Sequence, residues 1–449
     1  MKKIASILKN KEIMNRILFT VLILFIFRIG AQITVPGVNP EGLEEYLDSG
    51  SALSLMNLLG GGTLQTFSIF ALGVSPYITA QIIVQLLSTD VLPALSELKR
   101  QGQYGRKKME YATRYLTLML GAVQAYGIIQ TINNTDGVSL NMDQGWLTYI
   151  YIIIVMLAGT MLVMWLGDQI SVKGIGNGIS MMIFAGIVCS LPRQIANAFT
   201  TYISTTAGSP ENMVIAGIFR FILYILAFLA IIAFVTFIEL SQRKIPVQHS
   251  GKSGGQTPSM ARASFLPIKI NSAGVIPVIF ASSIMMVPSV IAAFVDSNST
   301  NAEWLKIFST SDMVDMGGWK MPWGLIIYLI LTIAFTFFYA NLQIDPAQIA
   351  ENFQKNGSYI PGVKPGVETE RYVRKVLNRV TVIGALALAL IASLPSILTL
   401  SGVFGDNNSL VLGGTGMIIV VGVCLELNNQ IDGLLAGKSF EEVVAGGGR

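Results

Sequence analysis

The sequence predicts an all-α integral membrane protein of ten transmembrane helices in two pseudo-symmetric, inverted halves of five, and three observations predict it. Of 449 residues 52% are hydrophobic and 12% charged, a balance that a soluble domain cannot hide in its core. Apolar runs recur along the whole chain at lengths near the roughly 20 residues that a helix needs to cross a bilayer. Finally, helix-breaking residues recur in matched places, Gly73-Val74-Ser75-Pro76 opening the second run and Ala273-Gly274-Val275-Ile276-Pro277 opening the seventh.

The runs lie near 17–35, 74–88, 115–132, 147–166, 178–195, 213–239, 272–294, 322–343, 380–400 and 411–428. Backbone polar groups in hydrocarbon must be satisfied within the segment, so each run reads as a helix. Met1 to Arg16, with Lys2, Lys3, Lys9 and Lys11, has the basic character of a signal-peptide start. The run behind it is long and lacks a small-x-small cleavage site, so it reads as a retained first span. Basic residues then gather in every second loop: Lys99, Arg100 and Arg106 to Lys108, then Lys173, then Arg243, Lys244, Lys252 and Arg262, then Lys355 to Arg379. The alternate loops hold few, namely Arg193, Lys306 and Lys320. Because Lys and Arg mark cytoplasmic loops, both termini are expected inside. The net charge of +4 is a topology signal first, and no nucleic-acid substrate is expected.

The breaks fall in the second member of each group of five, which makes residues 1–200 one half, 201–433 the other and 434–449 a cytoplasmic tail. Five is odd, so the halves have opposite orientation, and matched interruptions in such halves point to a transport pathway between them. Routine proline kinking is the other reading of the same residues. Before Pro76, Asn57 to Phe70 is apolar but makes only about 20 Å of helix at 1.5 Å per residue, too short to cross. It lies at the interface or turns back into a cavity; an external loop with one amphipathic turn fits the pattern equally. Two cytoplasmic loops are long, the Gly/Ser-rich Ser241 to Ile270 and Gln343 to Arg379, which serve either a partner or simple linkage. Cys189 and Cys424 each sit inside an apolar run and read as buried small hydrophobes.

Catalytic, cofactor and metal sites are not expected. Gly251-Lys252-Ser253 has Pro246 where a phosphate loop needs its first glycine, and Gly174-Ile175-Gly176-Asn177-Gly178 lacks the third glycine of a dinucleotide fingerprint. His249, the one histidine, has no companion at metal spacing. The alternative class, an ion-coupled secondary transporter of small solutes, needs titratable groups near the middle of spans. Asp168, Glu239, Asp345 and Glu426 instead fall at or near span ends. Arg28 and Arg220 are intramembrane charges, each costing about 2.5–3.5 kcal/mol if central, and are read as structural residues that snorkel outward.

Phe27-Arg28-Ile29-Gly30 with Val35-Pro36-Gly37, Phe70-Ala71-Leu72-Gly73 with Pro76-Tyr77-Ile78, Gly174 to Ser180, and Ala273 to Pro277 with Ile279 to Ser283 are all motifs in one order. They resemble the SecY family, the channel subunit of the bacterial general protein-export translocon, from the first span to about Gly433. The resemblance implies a clamshell in the bacterial plasma membrane, hinged between spans five and six and opening to lipid between spans two and seven. It implies a plug helix over about 57–70, with Asn57, Leu58, Leu59, Gly60, Gly61, Gly62, Thr63 and Leu64 at its start. A pore ring of Val74, Ile78, Ile179, Ile183, Ile279 and Ile419 is implied, with Val74 where isoleucine is frequent. Two of its pairs are spaced i, i+4 and so share a helix face, and such a ring closes by dewetting. Thr79, Gln85 and Asn271 match the lateral gate. Arg243, Lys244, Lys364, Arg371 and Arg374 match the cytoplasmic docking loops, with Lys364 replacing the usual arginine and its planar fork. Implied partners are SecE-like and SecG-like small membrane subunits, the SecA motor ATPase, the ribosome, signal-sequence-bearing polypeptides and membrane lipid.

Overall fold

The computed structural model describes residues 10–40, 60–88, 101–133, 145–204, 211–249, 264–295, 320–400 and 414–446, with isolated residues between some of them. The first half contains α1 (Lys11–Gly30), α2 (Ser75–Leu87), α3 (Gln103–Asn133), α4 (Trp146–Lys173) and α5 (Gly178–Phe199), the last running into a π-helical turn at Thr200–Ser204. The second contains α6 (Glu211–Leu240), α7 (Ile276–Val295), α8 (Trp323–Gln343), a short α9 (Pro346–Lys355), α10 (Val367–Leu400) and α11 (Gly414–Gly446). Eight of these are long and apolar enough to cross a membrane, while α2 and α7 have shorter described apolar stretches, Ser75–Leu87 and Ile276–Met285. With those two the described spanning helices number ten, the short α9 being the eleventh helix, and α2 and α7 are the two that open on the Gly-Val-x-Pro breaks.

Helix α1 ends at Gly30, five residues short of the expected span, because the following chain is used differently. Pro36 cannot continue a helix, and Ile33 to Val35 run extended beside Phe67 to Ile69. Val35 N–H donates to Phe67 O, Ile69 N–H donates to Ile33 O, both at 3.0 Å, and Thr34 bridges Ser68. Cys189 and Cys424 are exposed on the bundle surface rather than buried, each a small apolar side chain on an outward helix face.

Three apolar clusters organise the bundle. One joins α3 and α4 of the first half to the chain around Val35 and Leu64 to Leu72. Another joins α6, α7, α8, α10 and α11 to the end of α5. The third takes residues from α1, α2, α4 and α5 and from α7, α8 and α11, so both halves close on it. Buried threonines in the spans, among them Thr117, Thr160, Thr332 and Thr336, return their hydroxyls to the carbonyl four residues earlier, which satisfies each of those donors within its own helix.

The two long loops are not simply loops. β1 (Gln242–His249) pairs antiparallel with β2 (Ser264–Lys269), Gln242 opposite Lys269 and Val247 opposite Ser264, and β1 also pairs with β5 (Ser358–Tyr359). A separate two-residue ribbon, β3 (Val314–Asp315) with β4 (Lys320–Met321), precedes α8. Alternation explains β1 and β2: Ile245, Val247 and Ile268 point inward while Lys244, Pro246, Phe265 and Pro267 point out. Ile245 and Ile268 meet Ile360, Val373 and Leu377 in a small core that seats the start of α10. The Gly/Ser-rich tip, with Lys252 and Arg262, lies outside the described residues.

Candidate functional site

Helices α2 and α7 begin alike, Gly73-Val74-Ser75-Pro76-Tyr77-Ile78 and Gly274-Val275-Ile276-Pro277-Val278-Ile279. Each glycine takes a left-handed φ, +55° at Gly73 and +65° at Gly274, a conformation that other residues adopt only under strain. Each valine carbonyl accepts an early helical hydrogen bond, from Ile78 N–H at 3.0 Å and from Ile279 N–H at 3.3 Å. Each proline stands in the first turn, where no N–H is needed. Ile78 and Ile279 are therefore equivalent residues of the two halves, and they meet in the shared cluster.

Val74, Ile183 and Ile419 are buried members of the same cluster, and Ile179 packs against it. Exposure is 2–3% for those three, 9% for Ile78 and 7% for Ile279. On α5 the register is set by Asn177, whose side-chain oxygen caps the helix by accepting from the N–H groups of Ile179 (3.1 Å) and Ser180 (3.4 Å). All six residues expected in the ring thus come together from α2, α5, α7 and α11. Val275 also packs against this cluster and was not foreseen; superposing the two Gly-Val-x-Pro-x-Ile hexapeptides finds it as the partner of Val74.

The segment expected to form the plug helix takes another form. Asn57 and Gly60 are helical, Leu58 and Leu59 lie outside the described residues, and residues 61–74 form consecutive turns instead of the expected helix to Phe70. Gly61 and Gly62, at φ +79° and +82°, and Phe67 at +43° break the helical path. The Asn57 side chain ties the turns by accepting from Leu64 N–H (3.2 Å) and Gln65 N–H (3.3 Å). Phe70 stacks on Phe27 of α1 with ring centroids 5.7 Å apart and joins the shared cluster. Gly61 lies so close to Gly186 of α5 that a Cβ on either would overlap the other's Cα. Gly186 is three residues beyond Ile183, about 4.5 Å along the helix, so the turn seats directly over the cluster.

The three polar residues expected at the gate do not bond one another. Thr79 returns its hydroxyl to Ser75 O at 3.1 Å within α2, and Asn271 donates to Glu239 at 2.5 Å within the second half. Gln85 does cross between halves: its Oε1 accepts from the Tyr339 hydroxyl of α8 at 2.5 Å. Tyr339 also sets its ring edge-on to Phe280 of α7, centroids 5.3 Å apart. It gives no signal in the sequence, where it is one aromatic residue in an apolar span.

The SecY family model matches residues 68–428 of the chain. A protein translocase subunit SecY of Lactobacillus kefiranofaciens is 42% identical over 435 residues, covering 96% of this chain and 97% of the relative. This chain is a member of the SecY family. The Bacillus subtilis SecY subunit is 41% identical over 439 residues, with 98% of each chain covered. Among solved structures, one titled as the structure of a protein conducting channel superposes with TM-score 0.63 at 19% identity, covering 94% of this chain and 92% of its own. Sec61 in a canine ribosome-channel complex gives 0.59 at 18%, with the same coverage. These distant structures share the fold, ten helices in a SecY-like clamshell, and the family is one of translocase subunits, not enzymes. In this SecY-family chain the five expected docking residues are all exposed: Arg243 and Lys244 on β1, Lys364 in the turn before α10, Arg371 and Arg374 on its first turns. The strands bring the two loops onto one body, and Arg374 is paired with Glu370 at 2.7 Å.

Proposed function

We propose that this chain is the pore-forming subunit of a protein translocase, carrying unfolded polypeptides between its halves and releasing apolar segments sideways into lipid between α2 and α7. The observation that supports the reading is the shared cluster: five of the six branched apolar residues are buried members of it, the sixth packs against it, and a glycine-rich turn meets α5 at Gly186, three residues beyond Ile183. Branched apolar side chains exclude water and ions by dewetting and yield to a threading chain without any covalent step. The segment of turns acts as the plug, and Val74, Ile78, Ile179, Ile183, Ile279 and Ile419 act as the ring.

The barrier to opening the seam is small. A hydrogen bond such as that from Tyr339 to Gln85 is worth about 0.6–2 kcal/mol in a membrane interior. A signal sequence that packs its apolar face at the seam and against lipid supplies that much by binding the open state better than the closed one. The basic cytoplasmic body of β1, β2, α9 and the start of α10 suits docking by a ribosome or the SecA motor, and the exposed apolar helix faces suit SecE-like and SecG-like subunits. Both termini lie in the cytoplasm on this reading, since the basic loops share that side.

The test is transport by the channel complex in sealed vesicles. A secretory precursor should become protease-protected on addition of SecA and ATP. Failure to protect it, together with uptake of a small solute against an ion gradient, would replace the channel with a secondary transporter.

A further inference from the structure

Arg28 lies two residues before the end of α1, half-buried, in a span where an arginine is costly. Its Nη1 donates to the carbonyl of Gly61 at 2.8 Å. Gly61 sits in a turn, so no helical ladder supplies its carbonyl with a donor, and an unpaired carbonyl at membrane depth is itself unfavourable. Each group therefore meets the other's need. Gly61 also touches the backbone of Gly186, three residues beyond Ile183 of the cluster. A second arginine, Arg193 on α5, reaches the same segment, its Nη1 donating to Gln65 Oε1 at 2.9 Å.

We propose that Arg28 is a positioning residue, a cationic latch that clamps Gly61 against Gly186 and so holds the plug over the ring; this rests on the plug reading above. The guanidinium suits the task because it stays charged and presents several donors in a fixed plane, so it holds a carbonyl across 33 residues of chain without needing a second charge. The latch is reversible. When the segment leaves, water entering with the polypeptide solvates both the guanidinium and the carbonyl. Arg193, more exposed, contributes a weaker second hold.

A double-mutant cycle tests this with the intact channel complex in planar bilayers. Four proteins are compared: the parent, Arg28→Met, a deletion of residues 57–68, and the two changes combined. The deletion should raise resting conductance; if it does not, the plug reading falls, and the latch with it. Arg28→Met should raise resting conductance about tenfold, the effect expected for losing one hydrogen bond to a charged group. In the deletion background it should add nothing, because its partner is gone. A leak from the deletion with none from Arg28→Met overturns the latch alone, as does a leak from Arg28→Met that persists in full on top of the deletion. Arg28→Lys keeps a cationic donor and should leak less than Arg28→Met; equal leaks would also overturn the proposal.

Discussion

Ile183 is 3% exposed and is a buried member of the shared cluster, which makes Ile183→Asn an informative single change. Burial of an isoleucine side chain is worth about 1.5–3 kcal/mol, and the closed cluster loses that on substitution. An amide buried in this apolar cluster without a hydrogen-bond partner costs about 1–3 kcal/mol more. A wetted, open ring avoids most of both penalties, so closed and open states shift relative to each other by about 2.5–6 kcal/mol. At tenfold per 1.4 kcal/mol, the lower bound raises the open population by about 60-fold. Single-channel recording of the resting complex reads this directly as longer and more frequent openings. Ile183→Leu, which keeps the volume, should stay within about threefold of the parent. Resting conductance of Ile183→Asn within twofold of the parent, in protein inserted at normal levels, would refute the reasoning.

Other perturbations follow from the same geometry. Tyr339→Phe removes the hydroxyl that bridges to Gln85 and weakens the closed seam by about 0.6–1.7 kcal/mol, so precursors with weakened signal sequences should cross roughly threefold to fifteenfold faster in vesicle assays. No gain for weak signals would place the seam's strength elsewhere. Gly186→Val drives a side chain into the Gly61 turn; overpacking of about 1–3 kcal/mol should lower the thermal midpoint and raise resting leak together, and a variant that changes neither would show that the two backbones do not stay in contact.

The bundle was legible because hydrocarbon leaves the backbone few options. Runs of apolar residues near spanning length have to be helices, and the repeated Gly-Val-x-Pro marks where two of them start late. The six ring residues come from the family resemblance; spacing alone says only that Val74 with Ile78, and Ile179 with Ile183, share a helix face. What stayed hidden depends on contacts between distant parts of the chain. The bond from Arg28 to Gly61 and that from Tyr339 to Gln85 join residues with no local relationship, so snorkelling and generic packing read equally well. Residues 57–70 read as a short helix because their composition is apolar, but Gly61, packed on Gly186 of α5, and Gly62 take positive φ values and turn the chain. Strands β1 and β2 do alternate, but they are short and each carries proline, with a Gly/Ser-rich tip between them that dominates the composition of the loop. Asn271 reads as a gate residue from its position in a motif, yet its side chain turns back to Glu239.

The central claim is that a polypeptide passes through the apolar cluster. Photo-reactive residues placed at Ile78, Ile183, Ile279 and Ile419 should all crosslink to a precursor stalled in mid-transport, while the same probe at lipid-facing Leu226 of α6, 61% exposed, should crosslink to lipid and not to the precursor. Crosslinks confined to Leu226, with none from the four cluster positions, would contradict the account.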